Sequence, residues 1–207
     1  MYIEYCNYNK SIENYEKEKQ DVFRAIETGI DGLAMPIHMI REMREFLPSH
    51  LIKSTAIDYP CGTSASKVRY HMVINSIKSG ANCIDYVLNH YFLKNKFSEL
   101  KKEMETVVNI CKEYQATLRV FLDYNRSTNT HTIAEILNHD LGIDIFFPTL
   151  GYHHDDFFDN IINTKLLEQR TNCSIIFNGY TWKKEQVDFI KDINIFGMRI
   201  YNLELLV

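Results

Sequence analysis

Short apolar segments alternate with longer amphipathic segments along the whole chain. Eight of the short segments are rich in β-branched and aromatic residues and have the length of a strand. We predict strands at 2–5, 32–35, 52–59, 83–88, 117–124, 143–149, 174–177 and 196–201. An alternation of this kind indicates a parallel sheet with helices between its strands.

The longer segments repeat their apolar residues with the period of a helix. The clearest is 97–114, where Leu100, Met104, Val107 and Cys111 fall on one face. We predict helices at 11–28, 37–46, 64–78, 97–114, 130–140, 157–168 and 183–191.

Two architectures fit eight such units: an open doubly wound sheet and a closed (β/α)8 barrel. An open sheet favours a glycine-rich loop after its first strand, and the segment 6–9, Cys-Asn-Tyr-Asn, contains no glycine. We therefore predict a minimal α/β fold, a single TIM-barrel domain over 1–207, with its active-site mouth at the carboxyl ends of the strands. The sequence stops at Val207, soon after the eighth strand. We expect the last helix to be truncated, leaving a flank for a homodimer partner or another protein.

Composition narrows the classes of function. The net charge is −4 and the sequence pI is about 6.1, so no broad basic surface is expected for nucleic acid. The apolar runs are too short for a membrane span, and the N-terminus does not look like a signal peptide. The five cysteines form no CxxC pair, which is typical of reduced thiols. We expect a cytoplasmic protein that has no cofactor.

Four segments together resemble one enzyme family. The segment 57–68 contains Tyr-Pro-Cys-Gly, similar to an F-P-x-G strand end. Gly-Ala-Asn-Cys-Ile-Asp-Tyr-Val-Leu-Asn at 80–89 is similar to G-A-D-E-I-D-M-V-I-N, and 118–123 to L-K-V-I-I-E. The segment 142–151 is similar to G-A-D-F-I-K-T-S-T-G. In this order and spacing, over about 32–205, the chain resembles the deoxyribose-phosphate aldolase family of class I aldolases.

The resemblance implies a barrel whose ancestral chemistry is a lysine Schiff base. Asp85 matches the proton-handling aspartate of the family, and Arg119 stands where the fifth strand has a lysine. Phe147 replaces the nucleophilic lysine, and Ile176 replaces the lysine of the seventh strand. Neither replacement can form an imine. The phosphate-binding loop is replaced by 201–205, which includes a glutamate. The resemblance therefore implies a diverged member without the Schiff-base lysine.

Our leading hypothesis is a barrel that binds a small polar metabolite, sugar-like or carbonyl, at the mouth. It would act as a lyase or isomerase by acid–base chemistry, with Asp85 as the proton handler and Arg119 as the partner of an anion or oxyanion. Side chains near the strand ends would position the ligand: Asp58, Asn89, Asp123, Thr149, Asn178 and Tyr180. The alternative for Asp85 and Arg119 is an ion pair that fills the barrel interior.

Other hypotheses stay open. The loss of the matched lysines is also what a pseudoenzyme with a structural, regulatory or scaffold role would show. A metal-assisted lyase would use His153 or His154, although adjacent residues rarely converge on one ion, and no metal is favoured. A lysine could have moved to Lys94 or Lys96. The aromatic residues near the strand ends, Phe147 among them, either plug the mouth or line a pocket for a flatter ligand.

Overall fold

A closed barrel of parallel strands forms the centre of the molecule. The computed structural model describes residues 1–8, 15–151, 156–179 and 183–206. In these residues each strand pairs in parallel with the next, and the eighth pairs with the first. The strands are β1 (Tyr2–Cys6), β2 (Gly32–Ala34), β3 (Ile52–Ile57), β4 (Cys83–Val87), β5 (Thr117–Phe121), β6 (Ile145–Phe147), β7 (Ser174–Asn178) and β8 (Gly197–Ile200). The predicted barrel is confirmed, and the open sheet is excluded.

Helices connect the successive strands. They are α1 (Tyr15–Glu27), α2 (Ile37–Met43), α3 (Ser66–Lys78), α4 (His90–Asn95), α5 (Phe97–Glu113), α6 (Thr130–Leu141), α7 (Phe157–Arg170) and α8 (Lys184–Asp192). The sequence pattern does not predict α4. This short helix begins after Asn89, whose side-chain oxygen accepts a hydrogen bond from the amide of Phe92 at 3.1 Å. The start predicted for the first helix falls in 9–14, outside the described residues.

Several strands end earlier than the apolar pattern suggests. β3 ends before Asp58 and β5 ends shortly before Asp123, and both aspartates have left-handed backbone angles, with φ of 56° and 52°. Such angles cannot continue a strand. β6 ends at Phe147 because Pro148 has no amide hydrogen to donate to a neighbouring strand. The two aspartates thereby turn the chain at the mouth.

The two faces of the strands pack into different apolar clusters. Ile84 and Tyr86 of β4 belong to the large cluster between the sheet and the helices. Val87 belongs instead to an interior cluster with Phe121, Phe147, Leu150 and Ile176. All five residues of β4 are buried, because helices cover one face of the strand and the barrel interior encloses the other. Polar residues on the inward face therefore have to find partners inside the barrel.

A short turn of helix follows β8. The 3₁₀-helix Leu203–Leu205 places Leu203 in the core, and Glu204 pairs with Arg24 at 3.2 Å. In the described part of the chain, the segment after β8 thus covers part of the flank that we expected to be bare. A cavity of about 170 Å³ remains there, between the end of α1 and α8.

No helix in the described ranges has both the length and the apolar character needed to cross a membrane.

Candidate functional site

Four charged side chains close a ring inside the barrel. Arg119 bonds Asp85 through Nε at 2.7 Å and Glu4 through Nη2 at 2.8 Å. Arg199 bonds Glu4 through Nε at 2.7 Å and Asp85 through Nη2 at 2.5 Å. We call Glu4, Asp85, Arg119 and Arg199 the charge ring. Each guanidinium bridges both carboxylates, so the two positive and two negative charges balance.

The charge ring is buried and has further polar partners. Glu4 and Asp85 have no exposed surface, and Arg119 and Arg199 are 1% and 2% exposed. The hydroxyl of Tyr2 donates to Glu4 Oε1 and accepts from Arg119 Nη1, both at 3.1 Å. Burying charges is costly unless each one is paired and hydrogen-bonded. The ring meets that condition through its own members and Tyr2.

The ring sets the protonation of its members. Burial alone would raise the pKa of Asp85, but the guanidiniums of Arg119 and Arg199 outweigh it and hold this pKa below the usual value. Burial would lower the pKa of Arg199, but Glu4 and Asp85 raise it well above the usual value. Asp85 and Arg199 are therefore ionised at neutral pH. A permanently ionised aspartate between two arginines is a weak proton acceptor.

An aromatic layer covers the charge ring on the side of the mouth. Phe121 and Phe147 stack with their centroids 4.5 Å apart, and Phe147 has no exposed surface. The guanidinium carbon of Arg199 lies 4.3 Å from the centroid of Phe147, and that of Arg119 lies 5.1 Å from it. Phe121 and Phe147 stand at the carboxyl ends of β5 and β6, so they lie between the ring and the mouth. The phenylalanine at the matched lysine position thus helps to enclose the charges.

The sequence predicts part of this arrangement. Asp85 and Arg119 lie opposite each other on β4 and β5, and they form the ion pair that we gave as the alternative to a catalytic role. The interior position of Glu4 also agrees with its place in the first strand. Sequence reasoning missed Arg199. An arginine two residues after Gly197, in an otherwise apolar strand, is the signal that could have found it.

Two of the proposed ligand-positioning residues bond each other instead of facing an open space. Asn178 is fully buried, and its Nδ2 donates to the carbonyl of Thr149 at 3.0 Å. Its Oδ1 accepts from the hydroxyl of Tyr201 at 2.7 Å. The Thr149 hydroxyl accepts from the amide of Gly151 at 3.3 Å. These bonds join the carboxyl ends of β6, β7 and β8.

Two further residues of that set organise the loops of the mouth. The carboxylate of Asp58 accepts from the Ser64 amide at 2.7 Å and from its hydroxyl at 2.8 Å. Both of its oxygens therefore hold the loop between β3 and α3. Asn89 caps α4. Both side chains therefore have protein partners, and their predicted role in positioning a ligand stays a prediction.

Asp123 lies in a small cluster at the edge of the mouth. It is 1% exposed, and its Oδ2 is 3.2 Å from Arg126 Nε and 3.8 Å from His90 Nε2. Burial, and then the charges of Arg126 and Lys94, lower the pKa of His90 to about 4. His90 is therefore neutral at pH 7, and Arg126 is the cation paired with Asp123.

A second buried ion pair ties the helices to the sheet. Arg69 of α3 has no exposed surface and bonds Glu103 of α5 at 2.5 Å. It also donates to the carbonyl of Val87, and its guanidinium lies 4.0 Å from the ring centroid of Tyr86. Sequence reasoning missed this pair, because an arginine in an amphipathic helix is usually solvated. The pair fixes β4, which carries Asp85.

The remaining predicted residues fall outside the description. Tyr180, His153 and His154 lie in 180–182 and 152–155, beyond the described residues. Among the residues that are described, no three of the His, Cys, Asp and Glu side chains are grouped so that they could hold a metal. Lys94 and Lys96 are exposed, at or just after the end of α4.

The chain is similar in sequence to curated deoxyribose-phosphate aldolases. No protein-family model matches it. The deoxyribose-phosphate aldolase of Mycoplasmoides gallisepticum is 26% identical over 199 residues, which cover 89% of this chain and 87% of that protein. This similarity in sequence agrees with the resemblance in the four segments.

Solved structures give the same result for the fold. The tetrameric deoxyribose-phosphate aldolase of Aeropyrum pernix superposes with a TM-score of 0.77 at 15% identity, covering 99% of this chain and 87% of that one. The aldolase QR15 has a TM-score of 0.77 at 14% identity, covering 97% and 89%. The predicted resemblance to the deoxyribose-phosphate aldolases is confirmed in sequence, and the solved structures confirm the barrel fold.

Proposed function

We propose that this relative of the deoxyribose-phosphate aldolases binds a small polar metabolite at its mouth and does not carry out the lysine-imine reaction. The observation that carries this proposal is the charge ring beneath Phe147. Arg119 and Asp85 stand where the family resemblance places a lysine and an aspartate, and Glu4 and Arg199 complete a ring in which every charge has a partner. An imine needs an uncharged amine that a carbonyl can reach. In this arrangement Phe147 and Ile176 supply no amine.

The proposal changes the roles that the sequence suggests for Asp85 and Arg119. Proton transfer requires contact with the ligand or with a water next to it. Asp85 is fully buried, ionised and held by two arginines, and Phe121 and Phe147 separate it from the mouth. We therefore propose that the pair maintains the barrel interior and does not handle protons. This favours a binding or scaffold protein, the pseudoenzyme alternative, over a lyase or isomerase.

Half-buried phenols support a binding role for the mouth. Tyr59 lies above Phe121, with 6.2 Å between ring centroids, and stacks on Tyr8 at 6.3 Å. The hydroxyl of Tyr59 donates to the carbonyl of Leu150 at 3.0 Å. Tyr201 is also half-buried there and anchors to Asn178. Aromatic faces with hydroxyl groups at their edge suit a sugar-like or carbonyl compound.

Borohydride trapping tests the chemical half of the proposal. The protein is incubated with a panel of aldehydes and ketones and reduced with borohydride, and its intact mass is measured by mass spectrometry. The Mycoplasmoides gallisepticum aldolase, treated in parallel, is the positive control. We expect no adduct that maps to one lysine. A stoichiometric adduct on one lysine, for example Lys94, would contradict the proposal and establish a relocated Schiff base.

Ligand binding tests the other half. We expect polyols and hydroxycarbonyl compounds to raise the melting temperature of the wild type and to lose this effect in Tyr59→Leu. The matched control is Tyr70→Leu, which changes a half-buried tyrosine of α3. If no compound of the panel binds, or if both variants lose the effect equally, the mouth is not a ligand site of this kind.

We also propose that the chain self-associates through α7. Phe158, Ile162 and Leu166 are 64%, 54% and 39% exposed, and they follow one another at four-residue intervals along one face. An exposed apolar surface of this kind is typical of protein interfaces. This surface, more than the partly covered flank beside β8, would need a partner. The tetrameric assembly of the Aeropyrum pernix aldolase supports an oligomer.

A second copy of the chain suits this surface by charge. If two α7 helices pack antiparallel about Ile162, Asp159 of one copy faces Lys165 of the other, and the helix dipoles oppose each other. Light scattering after gel filtration tests this. We expect a dimer or larger oligomer that Ile162→Asp converts to a monomer. Val68→Asp, at a residue that is 51% exposed on α3, should leave the oligomer intact. A monomeric wild type would refute the proposal.

A further inference from the structure

A cavity outside the barrel axis lies between α4, the start of α5, and α6 with the loop that precedes it. Its volume is about 490 Å³, within the range of small-molecule sites. The loop between β5 and α6 forms one wall, and Leu93 and Lys94 of α4 form another. This cavity is separate from the charge ring, because none of the four ring residues lines it.

The cavity has a cationic rim. Lys94 and Arg126 line it, and the residues between α6 and Arg126 add the hydroxyls of Ser127 and Thr128. Asp123 Oδ2 lies 3.2 Å from Arg126 Nε, and this ion pair with a buried carboxylate holds the arginine at the rim. Burial is the main cause of the low pKa of His90, and the positive charges of Arg126 and Lys94 lower this pKa further, which shows that both cations act on this region.

The opposite part of the cavity is apolar. Leu93, Phe97, Ile133 and Ile136 line it, and Ile133 is 6% exposed. A wholly polar anion would leave this wall against water, whereas a hydrocarbon tail or ring would cover it. We propose that the cavity binds an amphipathic anion, with its acidic head between Lys94 and Arg126 and its apolar part against Phe97 and Ile136.

The proposal assigns Lys94 a role other than imine formation. Its ammonium group carries the positive charge that an acidic head needs, and binding involves no covalent step. The site is independent of the mouth, because Tyr59, Tyr201 and Asn178 do not line the cavity. A failure of one proposal therefore leaves the other standing.

Ligand-observed NMR with four probes tests the site. Hexanoate and hexyl phosphate carry both an acidic head and a tail, inorganic phosphate carries only the head, and hexanol carries only the tail. We expect both amphipathic anions to bind at least about tenfold more tightly than phosphate or hexanol, because only they satisfy both walls. Whichever of hexanoate and hexyl phosphate binds more tightly shows whether the natural ligand has a carboxylate or a phosphate head.

Matched variants locate the binding. Arg126→Met should weaken hexanoate binding about tenfold and Lys94→Met somewhat less, because Lys94 is exposed. Ile136→Ala should weaken hexanoate but not inorganic phosphate. Lys112→Met, at a lysine that lines a different cavity beside α5, is the control. Tyr59→Leu, at the mouth, should also have no effect.

Three outcomes would overturn the inference. Equal affinity for hexanoate and inorganic phosphate would show that the apolar wall does not contribute to binding. Equal affinity for hexanoate and hexanol would show that the cationic rim does not recognise an acidic head. Unchanged hexanoate binding in Lys94→Met and Arg126→Met, with melting temperatures like the wild type, would place the ligand elsewhere.

Discussion

The ring of Phe147 lies 4.3 Å from the guanidinium carbon of Arg199, and both side chains are buried. This contact joins the aromatic residue at the position matched to the family's lysine with an arginine of β8 that bridges two interior carboxylates. A cation over an aromatic face is stabilised further when water is excluded. The barrel interior is therefore filled by paired charges and by aromatic rings that pack against them.

The ring should be essential to stability. Arg199→Met removes one guanidinium and leaves Glu4 and Asp85 with only Arg119 between them. Breaking a buried ion pair in this way costs about 3–5 kcal/mol. Urea unfolding followed by circular dichroism should show a loss of this size. Lys191→Met, at a half-exposed lysine of α8, should change stability by no more than about 0.5 kcal/mol. Equal stability of the two variants would mean that the ring contributes little.

His90 should make stability depend on pH in a defined window. Its pKa is about 4 in the folded chain, compared with the ordinary 6.5. Between these values the unfolded chain takes up a proton that the folded chain does not, so stability falls as the pH falls from about 6.5 to 4. Because His90→Gln lacks this titrating group, its stability should fall less than that of the wild type as the pH decreases from 6.5 to 4.

The control for this prediction is a histidine on the surface. His139→Gln changes a side chain that is 89% exposed at the end of α6. Melting temperatures of both variants and the wild type are measured from pH 4 to 8. A His90→Gln profile parallel to that of the wild type would show that His90 is not buried in its neutral form.

Gly151 should not tolerate a side chain. Its φ is 79°, and a Cβ there would lie 2.6 Å from the Tyr201 hydroxyl and 2.9 Å from Asn178 Nδ2. Gly142 has a similar φ of 69°, but a Cβ there would meet no atom within 4 Å. Gly142→Ala should cost about 1 kcal/mol for the left-handed backbone alone. Gly151→Ala should cost clearly more in thermal unfolding, because it also disrupts the bonds among the strand ends.

One of the five cysteines should react rapidly with a thiol reagent. Cys61 is exposed, whereas Cys6, Cys83, Cys111 and Cys173 are buried. Burial raises the pKa of Cys6 and of Cys111 to about 12, so neither forms a thiolate near pH 7. Titration with a chromogenic disulfide should give one fast equivalent in native protein and five in urea. Cys61→Ser should remove the fast phase, and its persistence would mean that another thiol is accessible.

The strands and most of the helices could be predicted from the sequence because their signals are local. Alternation of apolar segments predicts the barrel, and the periodic face of 97–114 predicts α5, observed at Phe97–Glu113. The sequence also predicts that Asp85 and Arg119 lie on adjacent strands, and the register confirms that they are opposite each other. The pattern missed α4, which has only six residues and no buried side chain.

Only the closure of the barrel decides how those inward charges are paired. Glu4 and Arg199 are 195 positions apart, and they bond because β8 returns to β1. Likewise, Asp58 and Asn178 stand at predicted strand ends, where ligand-binding residues are expected. In the folded chain Asp58 bonds Ser64. Asn178 bonds Thr149 and Tyr201. A sequence shows which side chains face inward. Whether their hydrogen bonds go to a ligand or to one another depends on distances that exist only once the barrel has closed.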